Sequence, residues 1–419
     1  GRRRGANMAV LRVDHPDIEE FVDAKRSSGR LENFNLSVGI TDEFFAALDR
    51  RTPFPLRNPR SGLVARSVDA QELFARIVDA AWTSGDPGLL FLDEINRCNP
   101  TPGLGPIETT NPCGEQPLLP YESCTLGSLN LAAFAAENGL DWTRFAGAIA
   151  DGVVFLDNVI EANRYPFAAI ENATRRTRKI GLGVMGLAEF FARIGLAYDS
   201  EAALILAEKI AKFFTAEAWA ASARLAVRRG SFSAFADSVW PGRGFTALRN
   251  AALTCVAPTG TISLIAGTSS AIEPFFALAL ARRVLDGRLL TELNPLVAAE
   301  LDRLGRNAAA RDAVLRHGSL SHAPNLPPEL RRRFPIALEI APEWHLRMQA
   351  AFQNHVDAAV SKTVNLPQDA PKSAVREIFN QARRLHLKGV TVYRNGSRAG
   401  QTLSFIEEAA RPDCRECAV

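Results

Sequence analysis

A chain of 419 residues, 47% hydrophobic and 23% charged, is long enough to bury a sizeable core and has the composition of a soluble globular enzyme. Forty-nine basic against 46 acidic residues leave a formal charge of +3, which excludes the dominant basic face of a nucleic-acid binder. No run approaches the roughly 18 apolar residues of a membrane span, and six scattered cysteines exclude a disulfide scaffold and point to the cytosol.

The chain opens on Gly1 and Arg2 to Arg4, without Met, and runs straight into an expected strand at 7–13. It is therefore expected to be the C-terminal part of a longer protein or one half of a split one. Pro16 with Asp17, Glu19 and Glu20 behind it predicts a helix N-terminus. Phe34, Leu36, Val38 and Ile40 alternate with Asn35, Ser37 and Gly39, the period-two pattern of a half-buried strand. Leu89 to Leu92, after Pro87-Gly88, fits a short buried strand. The basic clusters at 175–179 and 331–333 read as exposed faces.

Ser200 is placed to cap a helix carrying Leu206, Ile210, Phe213, Phe214 and Leu225. Arg228 and Arg229 suit its carbonyl end before Gly230. Leu253 to Val256 is expected to be a strand, followed by a Pro-Thr-Gly turn and a helix starting near Thr261. The Pro-rich stretch from Ala323 to Pro335 reads as a surface excursion, and Val390 to Tyr393 as a last strand. Strands recurring between helices predict α/β architecture with a largely parallel sheet. Residues 1–405 are expected to form the folded unit and 406–419 a flexible tail.

The densest chemistry lies in Asn111-Pro112-Cys113-Gly114-Glu115, with Cys124 eleven residues beyond Cys113. Either cysteine alone would be read as a small buried hydrophobe, and ten intervening residues without a second ligand pair is not zinc spacing. A thiol between an amide and a carboxylate is poorly explained as core packing. The run 111–131, NPCGEQPLLPYESCTLGSLNL, resembles the active-site segment of ribonucleotide reductases, and of the adenosylcobalamin-dependent class II enzymes in particular. Similar stretches recur at 1–21, 87–102, 179–190, 257–276, 348–367 and 388–398.

The resemblance implies a ten-stranded α/β barrel of two five-stranded halves, its radical cysteine on an inner loop. It implies that Cys113 becomes a thiyl radical that removes a ribose hydrogen, with Glu115 as general base on the 3′-hydroxyl. Asn111 would hydrogen-bond a sugar hydroxyl, and Cys124 would be half of the reducing dithiol, oxidised transiently during turnover. The family's other redox cysteine would lie upstream of Gly1, which leaves Cys98 unassigned and Cys255 as a packed core thiol.

Pro258, Thr259, Gly260, Thr261 and Ile262, between an expected strand and helix, read in isolation as a capped turn. Their place within 257–276 implies the substrate-phosphate site, where free N–H groups and the helix dipole favour an anion. Arg2, Arg3 and Arg4 are either a solvated end or part of the loop linking a nucleoside triphosphate effector site to the substrate base. Cys414 and Cys417 form a C-x-x-C without a second pair to complete a zinc site. The resemblance implies a shuttle passing electrons from thioredoxin or a similar reductant.

The class I enzymes need a tandem Tyr-Tyr in the last strand. Here Tyr393 is followed by Arg394, and none of the four tyrosines adjoins another. Adenosylcobalamin is therefore the expected radical source, with a class I large subunit, or a catalytically incomplete fragment needing an N-terminal partner, as alternatives. The expected substrate is a ribonucleotide, in diphosphate form, and the expected assembly a homodimer.

Overall fold

Residues 5–26, 31–137, 139–283, 289–305 and 308–397 are described by a computed structural model. Arg2 to Arg4, Cys414, Cys417 and the expected tail lie outside them. The strands that position the site are β1 (Asn7–Arg12), β2 (Phe34–Ile40), β3 (Gly88–Phe91), β4 (Thr125–Asn130), β5 (Ile180–Met185), β6 (Thr363–Leu366) and β7 (Gly389–Arg394). The helices that cover them are α1 (Ala70–Ser84), α2 (Trp142–Ala162), α3 (Glu201–Arg229), α4 (Gly260–Ala266), α5 (Pro342–Gln353) and α6 (Lys372–Arg384).

Five strands form one sheet in the order β1-β2-β3-β7-β6. β1, β2 and β3 run parallel, β7 is antiparallel to β3, and β6 is parallel to β7. The second parallel ladder starts with β4 and β5. It continues through single bridges from Leu182 to Thr254 and from Val256 to Val360. Val360 stands just before β6, so the second ladder leads back to the first. The alternation of strands and helices thus becomes an α/β barrel wall, with its antiparallel join between β3 and β7.

Two apolar clusters hold the halves. On the first, α1 and α6 pack Phe74, Ile77, Val375 and Phe379 against Val38, Leu89, Val390 and Val392. On the second, α2 and α3 pack Phe145, Ile149, Val153, Ile210 and Phe214 against Ile180, Leu182 and Val184. Each such side chain contributes about 1.5–3 kcal/mol by leaving water. Ser200 caps α3 by accepting from the Ala203 amide at 3.2 Å, and Gly230 ends it, as the sequence predicts.

Four expectations need correction. Residues 36–40 of β2 are buried on both faces, because barrel interior lies on one side and covering helices on the other. Residues 253–256 make ladder hydrogen bonds, Leu182 N to Leu253 O at 2.7 Å and Cys255 N to Leu182 O at 3.0 Å, but do not extend into a regular strand. The stretch 323–335 is not a surface excursion: it contains a helix, Pro328–Arg333, and Leu326, Leu330 and Phe334 enter the second core. Finally, Arg178 and Lys179 are buried rather than exposed. Arg178 donates to the Asp157 carboxylate at 2.7 and 2.9 Å and so ties α2 to the start of β5.

Candidate active site

The loop after Thr110 carries Asn111, Cys113 and Glu115 and is locked locally. Gly114 N donates to Asn111 O at 3.0 Å, and Gln116 N donates to Asn111 Oδ1 at 3.0 Å. Gly114 takes φ +86°, a conformation that a side chain would strain. Two long-range bonds seat the loop inside the wall: Asn35 Nδ2 of β2 donates to Pro112 O at 2.8 Å, and Ala359 N donates to Glu115 O at 2.9 Å. Pro112, Cys113 and Gly114 consequently share a cleft with Ser37, Leu90, Thr391 and Lys362.

Cys113 and Glu115, the candidate thiol and base, differ in environment. Cys113 is open to the cleft, and desolvation together with the Glu115 charge pushes its thiol up to about 11, so it stays S–H at neutral pH. Glu115 is buried, and that burial raises its carboxyl pKa. Its Oε2 has no hydrogen-bond partner among the described residues. A buried carboxylate oxygen left unsatisfied costs free energy until a donor reaches it.

Cys124 sits at the start of β4, half-buried, with its thiol raised first by burial and next by the Cys255 sulfur. Cys255 is fully buried, as expected, its Sγ lying over Gly181, where a Cβ would come within 2.9 Å of it. It is no disulfide partner for Cys124. The register places Thr254 level with Leu182, and Leu182 level with Gly127. Cys255 is thus two strand spacings across and four residues along, on the order of 13–16 Å between Cα atoms, where a disulfide needs under about 7 Å.

The Pro258–Ile262 segment precedes and begins α4. Thr259 adopts φ 57° and, instead of capping α4, accepts from the Ala271 amide through Oγ1 at 2.8 Å. Gly260, Thr261 and Ile262 are exposed, and Gly260 lines a large pocket of about 710 Å³. Leu278, Phe275, Leu293, Glu273, Asn365 and Tyr393 also line it. Arg394 turns away from that pocket: its guanidinium lies over Trp82 at 4.0 Å and donates to Trp82 O at 3.0 Å.

Sequence reasoning missed the buried charges beside the thiols. Lys362 lines the Cys113 cleft, donates to His345 Nδ1 at 3.0 Å and pairs with Glu273, whose carboxylate also accepts from Thr363 N at 2.8 Å. Burial and Lys362 hold His345 down at about 2, so its ring is neutral. Lys179 pairs with Glu122 at 2.7 Å, with both side chains almost wholly buried. Both lysines stand within the stretches that carry the family resemblance, but a single lysine in a run has no periodicity to mark it. Among the described residues no cluster of three or more His, Cys, Asp or Glu side chains suits a metal ion, and no helix is long and apolar enough to cross a membrane.

Residues 1–393 match the family described as "Ribonucleotide reductase, barrel domain". The chain belongs to the ribonucleotide reductase family. It is 54% identical over 97% of its length to the vitamin B12-dependent ribonucleoside-diphosphate reductase of Mycobacterium tuberculosis, covering 57% of that protein. It is 45% identical over 99% of its length to the protein of the same name from Thermoplasma acidophilum, covering 54% of it. The chain thus spans a little over half the length of these reductases. The class Id ribonucleotide reductase alpha subunit of Actinobacillus ureae shares the fold, with a TM-score of 0.76 at 22% identity, over 93% of this chain and 70% of that one.

Proposed function

We propose that this chain is the catalytic barrel portion of a B12-dependent ribonucleoside-diphosphate reductase, which reduces ribonucleotides to 2′-deoxyribonucleotides through a thiyl radical. The observation that carries the reading is the unsatisfied, buried Glu115 Oε2 two residues from the cleft thiol of Cys113. A ribose hydroxyl donated to that oxygen satisfies it and sets the sugar against the sulfur. The raised carboxyl pKa suits a base that must take up and return a proton.

In this reading Cys113 removes the ribose hydrogen atom, Glu115 takes the 3′-hydroxyl proton, and Asn111 orients the sugar. Cys124 supplies one of the two thiols whose oxidation provides two electrons as the 2′-hydroxyl leaves as water. Its partner thiol is upstream of Gly1. The exposed backbone at Gly260 to Ile262 receives the diphosphate. Adenosylcobalamin, when bound, supplies the radical that Cys113 carries. The pocket bounded by Phe275, Leu278, Leu293 and Tyr393 would hold the cofactor, and Glu273 pairs with Lys362 where that pocket meets the Cys113 cleft. Electrons arrive from thioredoxin or a similar dithiol through Cys414 and Cys417. A nucleoside triphosphate effector, with Arg2 to Arg4 on the linking loop, a cytoplasmic homodimer and a contribution from N-terminal sequence complete the proposal.

The test is reconstitution of the chain with its N-terminal sequence, adenosylcobalamin, a dithiol and each ribonucleotide in turn. Formation of deoxyribonucleotide together with substrate-dependent cob(II)alamin is the expected result. Cobalamin-independent turnover would refute the radical source, and no product with any ribonucleotide would refute the activity.

A further inference from the structure

β5 pairs β4 with Ile180 opposite Thr125 and Gly181 opposite Leu126. Lys179 and Cys124 are the residues one step before that paired segment, so they stand opposite each other. They also share a face. Thr125 donates outward to Leu156 O, and Gly127 packs against Leu156, so the outer positions of β4 are the odd-numbered ones. A Cβ on Gly181 would instead point inward, at Leu126, Gln116 and Cys255. The inward face therefore presents Cys124 and Leu126 from one strand and Lys179 and Gly181 from the other.

Lys179 is held there. Its Nζ donates to Glu122 Oε2 at 2.7 Å, and Glu122 is fixed in turn by Thr177 Oγ1 at 2.6 Å and Leu119 N at 2.8 Å. The Lys179 side chain is 3% exposed. Four titratable groups act electrostatically on the Cys124 sulfur: Lys179 from the start of β5, Glu122 from its own segment, Glu115 from the Cys113 loop, and Cys255 from residues 253–256. Of these, only Lys179 favours a thiolate.

We propose that Lys179 is a positioning residue for thiol–disulfide exchange at Cys124, stabilising its sulfur as it leaves as a thiolate. This rests on the redox role given above to Cys124. When a dithiol reduces the Cys124 disulfide, one thiolate attacks, a new S–S bond forms and the old one breaks. Whichever sulfur is attacked first, Cys124 departs once with the electron pair, and the second dithiol sulfur ends in the dithiol's own disulfide. A leaving thiolate at this half-buried position without a cation would depart slowly, because partial removal from water penalises the charge.

The experiment measures the rate of Cys124 alkylation against pH in the 419-residue chain, by mass spectrometry of its peptide. It needs no substrate or cofactor, so it stands apart from a failure of the reductase reading. Lys179→Met is expected to raise the midpoint by about one pH unit, hence about tenfold slower alkylation below it. Lys179→Arg should hold the midpoint near that of the parent. Lys179→Met with Glu122→Gln leaves no unpaired buried charge, keeps the test alive if the single variant fails to fold, and should still raise the midpoint. An unmoved midpoint in the folded neutral variants, or an equal rise with Arg, overturns the proposal. If the midpoint moves but dithiol-driven turnover of the complete protein does not slow, Lys179 acts on the thiol without a role in exchange, and the proposal fails at that step.

Discussion

The Glu115 carbonyl accepts the Ala359 amide at 2.9 Å, which ties the loop bearing Cys113 to the segment leading into β6. The loop is thereby tied to the wall through its backbone, and neither the Cys113 nor the Glu115 side chain takes part in that bond. Cys113 and Glu115 can therefore be replaced without releasing the loop, and the predictions for these two residues depend on that separation.

Cys113→Ser is expected to abolish nucleotide reduction and substrate-dependent cob(II)alamin formation in the complete protein. Cys113→Ala should change stability by no more than about 1 kcal/mol, since no hydrogen bond of the loop uses the thiol. Turnover assays, electron paramagnetic resonance and denaturant melts check the three parts. Retained turnover in the serine variant would end the radical assignment.

Glu115→Gln should cost at least about a hundredfold in turnover while stabilising the fold above the ordinary carboxylate range. Burial raises the folded-state pKa of Glu115, so the folded chain holds the proton more tightly than the unfolded one. Stability from this group is therefore full at low pH and falls as pH rises from the unfolded value of about 4.5 through the raised folded one. The glutamine variant lacks that fall. Melting temperatures of both proteins between pH 4 and 8 should diverge upward in favour of the variant.

Cys124→Ser is expected to block repeated turnover with thioredoxin while leaving cobalamin homolysis observable. Cys414→Ser or Cys417→Ser should impair thioredoxin-driven turnover and largely spare turnover with a small dithiol, which diffuses into the barrel unaided. The two reductants, compared at matched reducing capacity, separate these cases. Equal losses with both reductants would show that the terminal pair is not a shuttle.

Asp157→Ala should destabilise the fold by about 3–5 kcal/mol. The carboxylate is fully buried and accepts from Arg178, Arg229, Arg249 and Asn250, so its loss leaves the buried Arg178 guanidinium with only the partly exposed Glu161 carboxylate and the backbone carbonyl of residue 157 as partners. Chemical denaturation gives the measurement, and a cost under about 1 kcal/mol would mean that Glu161 and water suffice to hold Arg178.

Gly183→Ala is expected to disturb the second ladder, because a Cβ there would lie 2.5 Å from the Cys255 carbonyl oxygen. Backbone cannot yield as a flexible side chain would. A destabilisation of about 1–3 kcal/mol follows, with loss of the Leu182–Thr254 bridge seen as faster amide exchange at Leu182 and Cys255.

Much of this protein was legible in its residues. β1, β2, β3 and β7 follow from short apolar runs bounded by turn residues, and the ends of α3 from Ser200 and Gly230, because such signals are local. The Asn111–Cys113–Glu115 candidate could be picked out for the same reason: five consecutive residues hold the whole motif. What tertiary structure decided is what depends on partners far along the chain. Lys179 and Arg178 looked like a solvated cluster until Glu122 and Asp157, 57 and 21 residues away, paired with them. The burial of both faces of β2 came from helices on one side and barrel interior on the other, which alternation along one strand cannot reveal. Cys255 was expected to be a packed thiol, but its distance from Cys124 follows only from the register, which sets it two strands away. Charge pairing, face burial and thiol separation are properties of the assembled wall, and no single segment contains them.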